Sequence, residues 1–156
     1  VAAAAGTLAS AAVSTESIAV RRLPSEDLLL GRAYSAPVRQ SKTLIEGADG
    51  IVIAASVCKA AYNGGLKAFF DLLPSDAFRG KIILPIVLGT SPLDFPAMDY
   101  SLRAVLAALG ANTMVEGVYL LERQVQLYDM AVMLRSCPPK SVMSAMSFRT
   151  MPSFNR

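Results

Sequence analysis

Histidine is absent from all 156 residues, and cysteine occurs only at Cys58 and Cys137. Without histidine there is no imidazole metal ligand and none of the Ser/His or Cys/His pairs that usually activate a nucleophile. Two cysteines far apart in sequence make neither a Cys-x-x-Cys motif nor a disulfide framework, and a reduced, cytoplasmic chain is expected. Charge is sparse as well: 17% of residues are Asp, Glu, Lys or Arg against 53% hydrophobic, a balance that argues against disorder. Long apolar runs are missing; those present are strand-sized, short of the roughly 18 to 20 residues of a membrane span. The opening VAAAAGTLASAAVS lacks a basic n-region, so it reads as a helix rather than a signal peptide.

The net charge of +3 belongs to one end of the chain. Four basic residues and no acid lie in 131–156 (Arg135, Lys140, Arg149, Arg156), leaving 11 basic against 12 acidic residues in 1–130. No nucleic-acid footprint is expected on the domain. The length suggests a single domain with a substantial core.

What the chain does have is alternation. Apolar patterning predicts a helix over about 1–12, then strand 17–23, helix 36–47, strand 50–57, helix 64–73, strand 81–89, helix 97–109 and strand 113–121. Such alternation means a parallel sheet with helices on both faces. The most informative stretch is GIVIAASVCKAAYNGGLKAFFDLL, residues 50–73. Its first six residues are short, apolar and rich in β-branched side chains, as in a strand buried on both faces. Asn63 is placed to N-cap the next helix, and Gly64 and Gly65 leave its first backbone N–H groups approachable. Leu66, Phe69, Phe70 and Leu73 recur at the spacing of one apolar helical face. Leu102, Val105, Leu106 and Leu109 form a second such stripe, read as core, and Gly110 suits the C′ position that ends it. Ligands of open α/β sheets bind beyond the carboxyl ends of the strands, which places a site in the loop 56–63.

These residues carry a resemblance. The run A-S-V-C-K-A-A-Y-N-G-G-L-K at 55–67 is similar to the T-P-V-Y-K-A-A-Y-S-G-x-L-K pattern of the NADPH-dependent FMN reductases, and most similar to those that supply reduced flavin to sulfonate monooxygenases. PSEDLL at 24–29, EGADGIVIA at 46–54, GKIILPI at 80–86 and DYSLRAVLAALGA at 99–111 extend the match. The resemblance implies a flavodoxin-like three-layer α/β/α fold with strand order 2-1-3-4-5. It also implies FMN and NADPH as cofactors, hydride transfer from NADPH to FMN, a homodimer or homotetramer, and a flavin-dependent monooxygenase partner in sulfur metabolism. A quinone, azo-dye or chromate reductase with bound FMN, or a non-catalytic module, are the alternatives on the same fold.

In the family, strand one leads into a G-S-P-R-x-x-S-type loop that holds the FMN phosphate at a helix N-terminus. Nothing before residue 17 reads as that strand or loop. The expectation is therefore a domain over 1–130, N-terminally truncated or a defective variant, followed by an atypical, disordered tail over 131–156.

The resemblance makes Ala55, Ser56, Val57, Cys58, Lys59, Tyr62, Asn63 and Gly64 the platform of the isoalloxazine ring, and Gly89, Thr90 and Ser91 a second loop along its edge. Lys59 is read either as a stabiliser of anionic reduced flavin or as a solvated lysine, and Cys58 as a small buried filler in preference to a redox thiol. Ser56 and Cys58 stand where the family has Pro and Tyr. Tyr100 matches a tyrosine that the sulfonate-linked reductases insert in a π-bulge near the flavin at a subunit interface, with an ordinary core or interface tyrosine as the alternative. No residue is expected to act as a catalytic nucleophile or base, since the cofactors carry the chemistry.

Overall fold

A computed structural model describes residues 13–122 and 132–136. The centre of the fold is the pair predicted to be buried: β2 (Gly50–Cys58) runs parallel to β4 (Ile82–Gly89), with Gly50 opposite Ile82 and Ser56 opposite Leu88. Side chains alternate across this pair, so Ile51, Ile53, Ala55, Ile83 and Val87 enter one core with Phe69, Phe70, Phe78, Leu102 and Leu106. Val52, Leu84 and Ile86 form a smaller cluster on the opposite face with Val115, Val118 and Leu120. A sheet buried on both faces explains why these strands are apolar throughout instead of alternating.

Helices follow the predicted stripes. After β1 (Ser14–Ile18) and the short helix α1 (Ser25–Leu29), α2 spans Ala36–Glu46 and buries Val38 and Ile45. A two-residue strand β3 (Ala61–Tyr62) folds back on β2, and α3 (Gly64–Asp71) begins at the predicted cap, with the Asn63 carboxamide oxygen accepting from the Gly65 N–H at 2.8 Å. The last described helix, α4 (Phe95–Ala108), starts two residues earlier than expected, because Pro96 fits the first turn of a helix. It ends before Gly110, whose φ of +83° is the left-handed C′ conformation that favours glycine. The helix expected over 1–12 lies outside the described residues.

The short helix α1 and the strand β3 were not expected, and two expected strands differ from the pattern, the first of them beginning at Ser14. The first strand ends at Ile18, and residues 20–22 instead form a 3-10 turn closed by Arg22 N–H to the Ala19 carbonyl at 2.8 Å. The strand expected over 113–121 divides into β5 (Thr113–Met114) and β6 (Val118–Leu121). Pro85 is the reason. It has no N–H for a ladder bond and sits mid-strand in β4, where its ring would lie 3.1 Å from any Cβ on Gly117. Ile83 pairs with Met114 and Ile86 with Val118, so Leu84 and Pro85 face the longer segment Val115, Glu116 and Gly117, the geometry of a bulge.

The largest departure lies in the segment expected to be a disordered tail. Val132–Ser136 form β7, which runs antiparallel to both neighbours, with Leu134 opposite Glu16 of β1 and opposite Ile51 of β2. The sheet order is β1-β7-β2-β4-β5, with β6 beside β4 beyond the bulge. Among the described parallel elements this is the flavodoxin-like order, and β7 stands in the position of strand one. The remainder of 137–156 lies outside the described residues.

Candidate functional site

Parallel pairing of β2 with β4 brings two loops to one sheet edge. Ser56 lies opposite Leu88, so the segments that follow, 57–63 and 89–91, leave the sheet side by side at its carboxyl end. This is the position at which open α/β sheets hold ligands.

The first loop is a tight hairpin. Val57 pairs with Tyr62 and Cys58 with Ala61, which leaves Lys59 and Ala60 as a two-residue turn with φ of 53° and 61°. Two positive φ values are the signature of a type I′ turn, usually Asn-Gly; a residue with a Cβ pays about 1 to 2 kcal/mol in that region. Backbone strain of this sort concentrates at functional sites. Cys58, Lys59 and Ala60 are exposed at the tip, while Ser56 and Val57 are half-buried beneath it. Gly64 opens α3 with nothing within 4 Å of where a Cβ would stand, so packing does not call for glycine there. Its bare backbone leaves room for a ligand beside the helix start.

The second loop is closed by its own side chains. Ser91 and Asp94 cap the 3-10 turn at Pro92–Asp94: the Leu93 N–H donates to Ser91 Oγ at 3.3 Å, the Ser91 N–H donates to Asp94 Oδ2 at 3.3 Å, and Thr90 Oγ1 donates to the same oxygen at 3.4 Å. From β6, the Tyr119 hydroxyl donates to the Ser91 carbonyl at 2.6 Å, and the Tyr119 ring meets Phe95 edge-on with centroids 5.3 Å apart. Desolvation, then the charges of Asp94 and Glu122, raise the Tyr119 hydroxyl above the ordinary phenol range, which keeps it a donor.

The structure places the other expected residues as follows. Ala55 is fully buried in β2, and Gly89 is buried at the end of β4. Cys58 is exposed, which corrects its reading as a buried filler, because β2 runs past the sheet and carries Cys58 out on the hairpin. Tyr62 points into the core, 9% exposed and 6.3 Å from Phe70 between ring centroids, so it supports the hairpin from below instead of lining its surface. Burial, then the charge of Asp71, raises its hydroxyl too. Tyr100 is 80% exposed on α4, which packs against β3 but is α-helical from Phe95 to Ala108, without the expected π-bulge. Tyr119 was not foreseen; its one sequence signal is a tyrosine two residues beyond a glycine, in a strand that ends beside the loop.

For a flavin, the ring side of the site fits: exposed backbone at the hairpin tip and Thr90 flank one edge, with the half-buried Ser56, Val57 and Ser91 beneath. The phosphate side does not fit in the same way. Among the described residues the strand between β1 and β2 is β7, running in the opposite sense, so no described helix N-terminus follows a parallel strand at that place.

The comparisons with known proteins agree with this geometry. A family model described as NADPH-dependent FMN reductase matches residues 1–126. An FMN reductase (NADPH) of Pseudomonas putida KT2440 is 42% identical over 106 residues, covering 68% of this chain and 54% of that protein. One of Escherichia coli K12 is 41% identical over 100 residues, covering 64% and 52%. The apo crystal structure of the NADH:FMN oxidoreductase EMOB superposes with a TM-score of 0.65 at 37% identity, over 68% of this chain and 57% of that one. The chain spans about half the length of the curated relatives it matches.

Proposed function

The chain belongs to the NADPH-dependent FMN reductase family, and from that membership we propose that the protein oxidises a reduced nicotinamide with FMN as acceptor. The observation that carries the reading is the convergence of the strained hairpin 57–62 and the loop 89–91 at the carboxyl edge of β2 and β4.

When bound, FMN would supply the hydride-acceptor chemistry, so the chain would need no nucleophile or base, which suits its lack of histidine. Its own residues would orient the ring: the backbone of 56–59 and Thr90 would meet the polar ring edge, Asn63 fixes the start of α3, and Lys59 would present a positive charge from the hairpin tip. Relatives are named for NADPH and for NADH, and NADPH is our choice of donor for this chain. A homodimer or homotetramer in the cytoplasm, releasing reduced FMN to a monooxygenase of sulfur metabolism, completes the reading. Exposed Leu93, just before α4, and exposed Tyr100, in its second turn, support such an assembly.

A second reading is favoured by β7. With an antiparallel strand in the central position, the chain is a flavodoxin-like module that binds FMN weakly or not at all. Steady-state assays distinguish the two. FMN-dependent consumption of NADPH is expected; a protein that reduces quinones but turns over no free FMN is a different reductase, and one that binds no flavin is the non-catalytic module.

A further inference from the structure

Tyr119 makes the firmest link in the turn that follows β4. The bonds that close the turn upon itself, from Ser91 N–H and Thr90 Oγ1 to Asp94, from Leu93 N–H to Ser91 Oγ and from Asp94 N–H to the Ser91 carbonyl, run from 3.1 to 3.4 Å, on the long side for hydrogen bonds. The Tyr119 hydroxyl reaches the Ser91 carbonyl at 2.6 Å and comes from β6, so it ties the turn to the sheet rather than to itself. Gly89 is shaped around it: a Cβ there would meet the Tyr119 hydroxyl oxygen at 1.8 Å and the ring carbon bearing it at 2.6 Å. Ser91 has its N–H, hydroxyl and carbonyl all engaged within this arrangement, while Thr90 stays exposed at the sheet edge.

We propose that Tyr119 is a positioning residue for this loop: its hydroxyl anchors the Ser91 carbonyl to β6 and so holds Thr90 against the polar edge of a bound ring. The anchoring rests on geometry, and the identity of the ring as a flavin rests on the reductase reading above.

Tyr119→Phe in the full chain keeps the ring and its contact with Phe95 and deletes only the donor. Two readouts separate the parts of the inference: amide hydrogen exchange across 90–94 in ligand-free protein, and FMN affinity from quenching of flavin fluorescence. Exchange in the turn should quicken and FMN affinity fall by about five- to tenfold each, the loss of one hydrogen bond, with little change in melting temperature. Gly89→Ala, which drives the same hydroxyl off Ser91 by steric clash, should quicken exchange in the same amides. Unchanged exchange in either variant overturns the anchoring. A lower melting temperature with unchanged FMN affinity overturns the positioning role and leaves Tyr119 a packing residue. If the parent chain binds no FMN, the reductase reading falls and the ligand half of this proposal with it, while the exchange measurement still decides the anchor.

Discussion

Asn63 and Ser35 both precede a helix and both belong to the residue types that cap one, yet they sit differently. The Asn63 side chain accepts from the Gly65 N–H, whereas Ser35 makes no side-chain cap bond, and its buried Oγ has no partner among the described residues. Asn63→Ala should therefore destabilise the protein by about 1 kcal/mol, while Ser35→Ala should be neutral or slightly stabilising, since it removes a desolvated hydroxyl that gains nothing. Denaturant unfolding of the two variants checks this; equal losses would mean that Ser35 caps α2 in solution. The cap at Asn63 was legible because N-capping is local chemistry. The exposure of Cys58 and the burial of Tyr62 were not, because both depend on a hairpin register that becomes visible only once Val57 and Tyr62 are seen to pair. Tyr119 was hidden for a similar reason: its partner Ser91 is distant in sequence and offers a backbone carbonyl, which leaves no mark on residue type.

At the scale of elements, patterns that depend on one element alone were read well and those that depend on neighbours were not. The apolar runs of β2 and β4, the stripes of α3 and α4 and the glycine after α4 announce themselves. The break between β5 and β6 is dictated by Pro85 on another strand, and β7 by a slot between β1 and β2 that no local pattern in 132–136 discloses. That slot makes β7 a keystone, since among the described residues β7 is the strand through which β1 joins the sheet. Leu134→Pro tests it. Proline at the residue facing both Glu16 and Ile51 removes a ladder donor between two strands, at about 1 to 3 kcal/mol for a buried group left unpaired. Exchange protection should be lost across 14–18 while β2 and β4 keep theirs. Protection of β1 that survives the substitution would show that it does not depend on β7.

Across the whole molecule, the groups with displaced ionisation give stability a slope on the alkaline side. The Tyr62 and Tyr119 hydroxyls are raised, each mainly by desolvation, so above about pH 10 the unfolded chain releases phenolic protons that the folded chain retains. Their contribution is complete below that value and is lost as pH rises through the folded values. Lys81 acts in the opposite sense. Its ammonium donates to the Glu46 and Ala48 carbonyls at 3.0 and 2.7 Å, but desolvation outweighs the attraction of Asp49 and Glu46 and lowers its value. In the window just below the ordinary lysine value the folded chain holds fewer protons there than the unfolded one, so stability gains with pH. Two raised tyrosines oppose one lowered lysine. Stability should therefore decline above about pH 10. Tyr62→Phe and Tyr119→Phe should each flatten the decline, measured against the parent at matched pH by denaturant midpoints, with phenolate absorbance following the titration. A decline equally steep in both variants would place its source elsewhere. It would also show that neither hydroxyl is shielded as the core beneath the hairpin and the turn above β4 require.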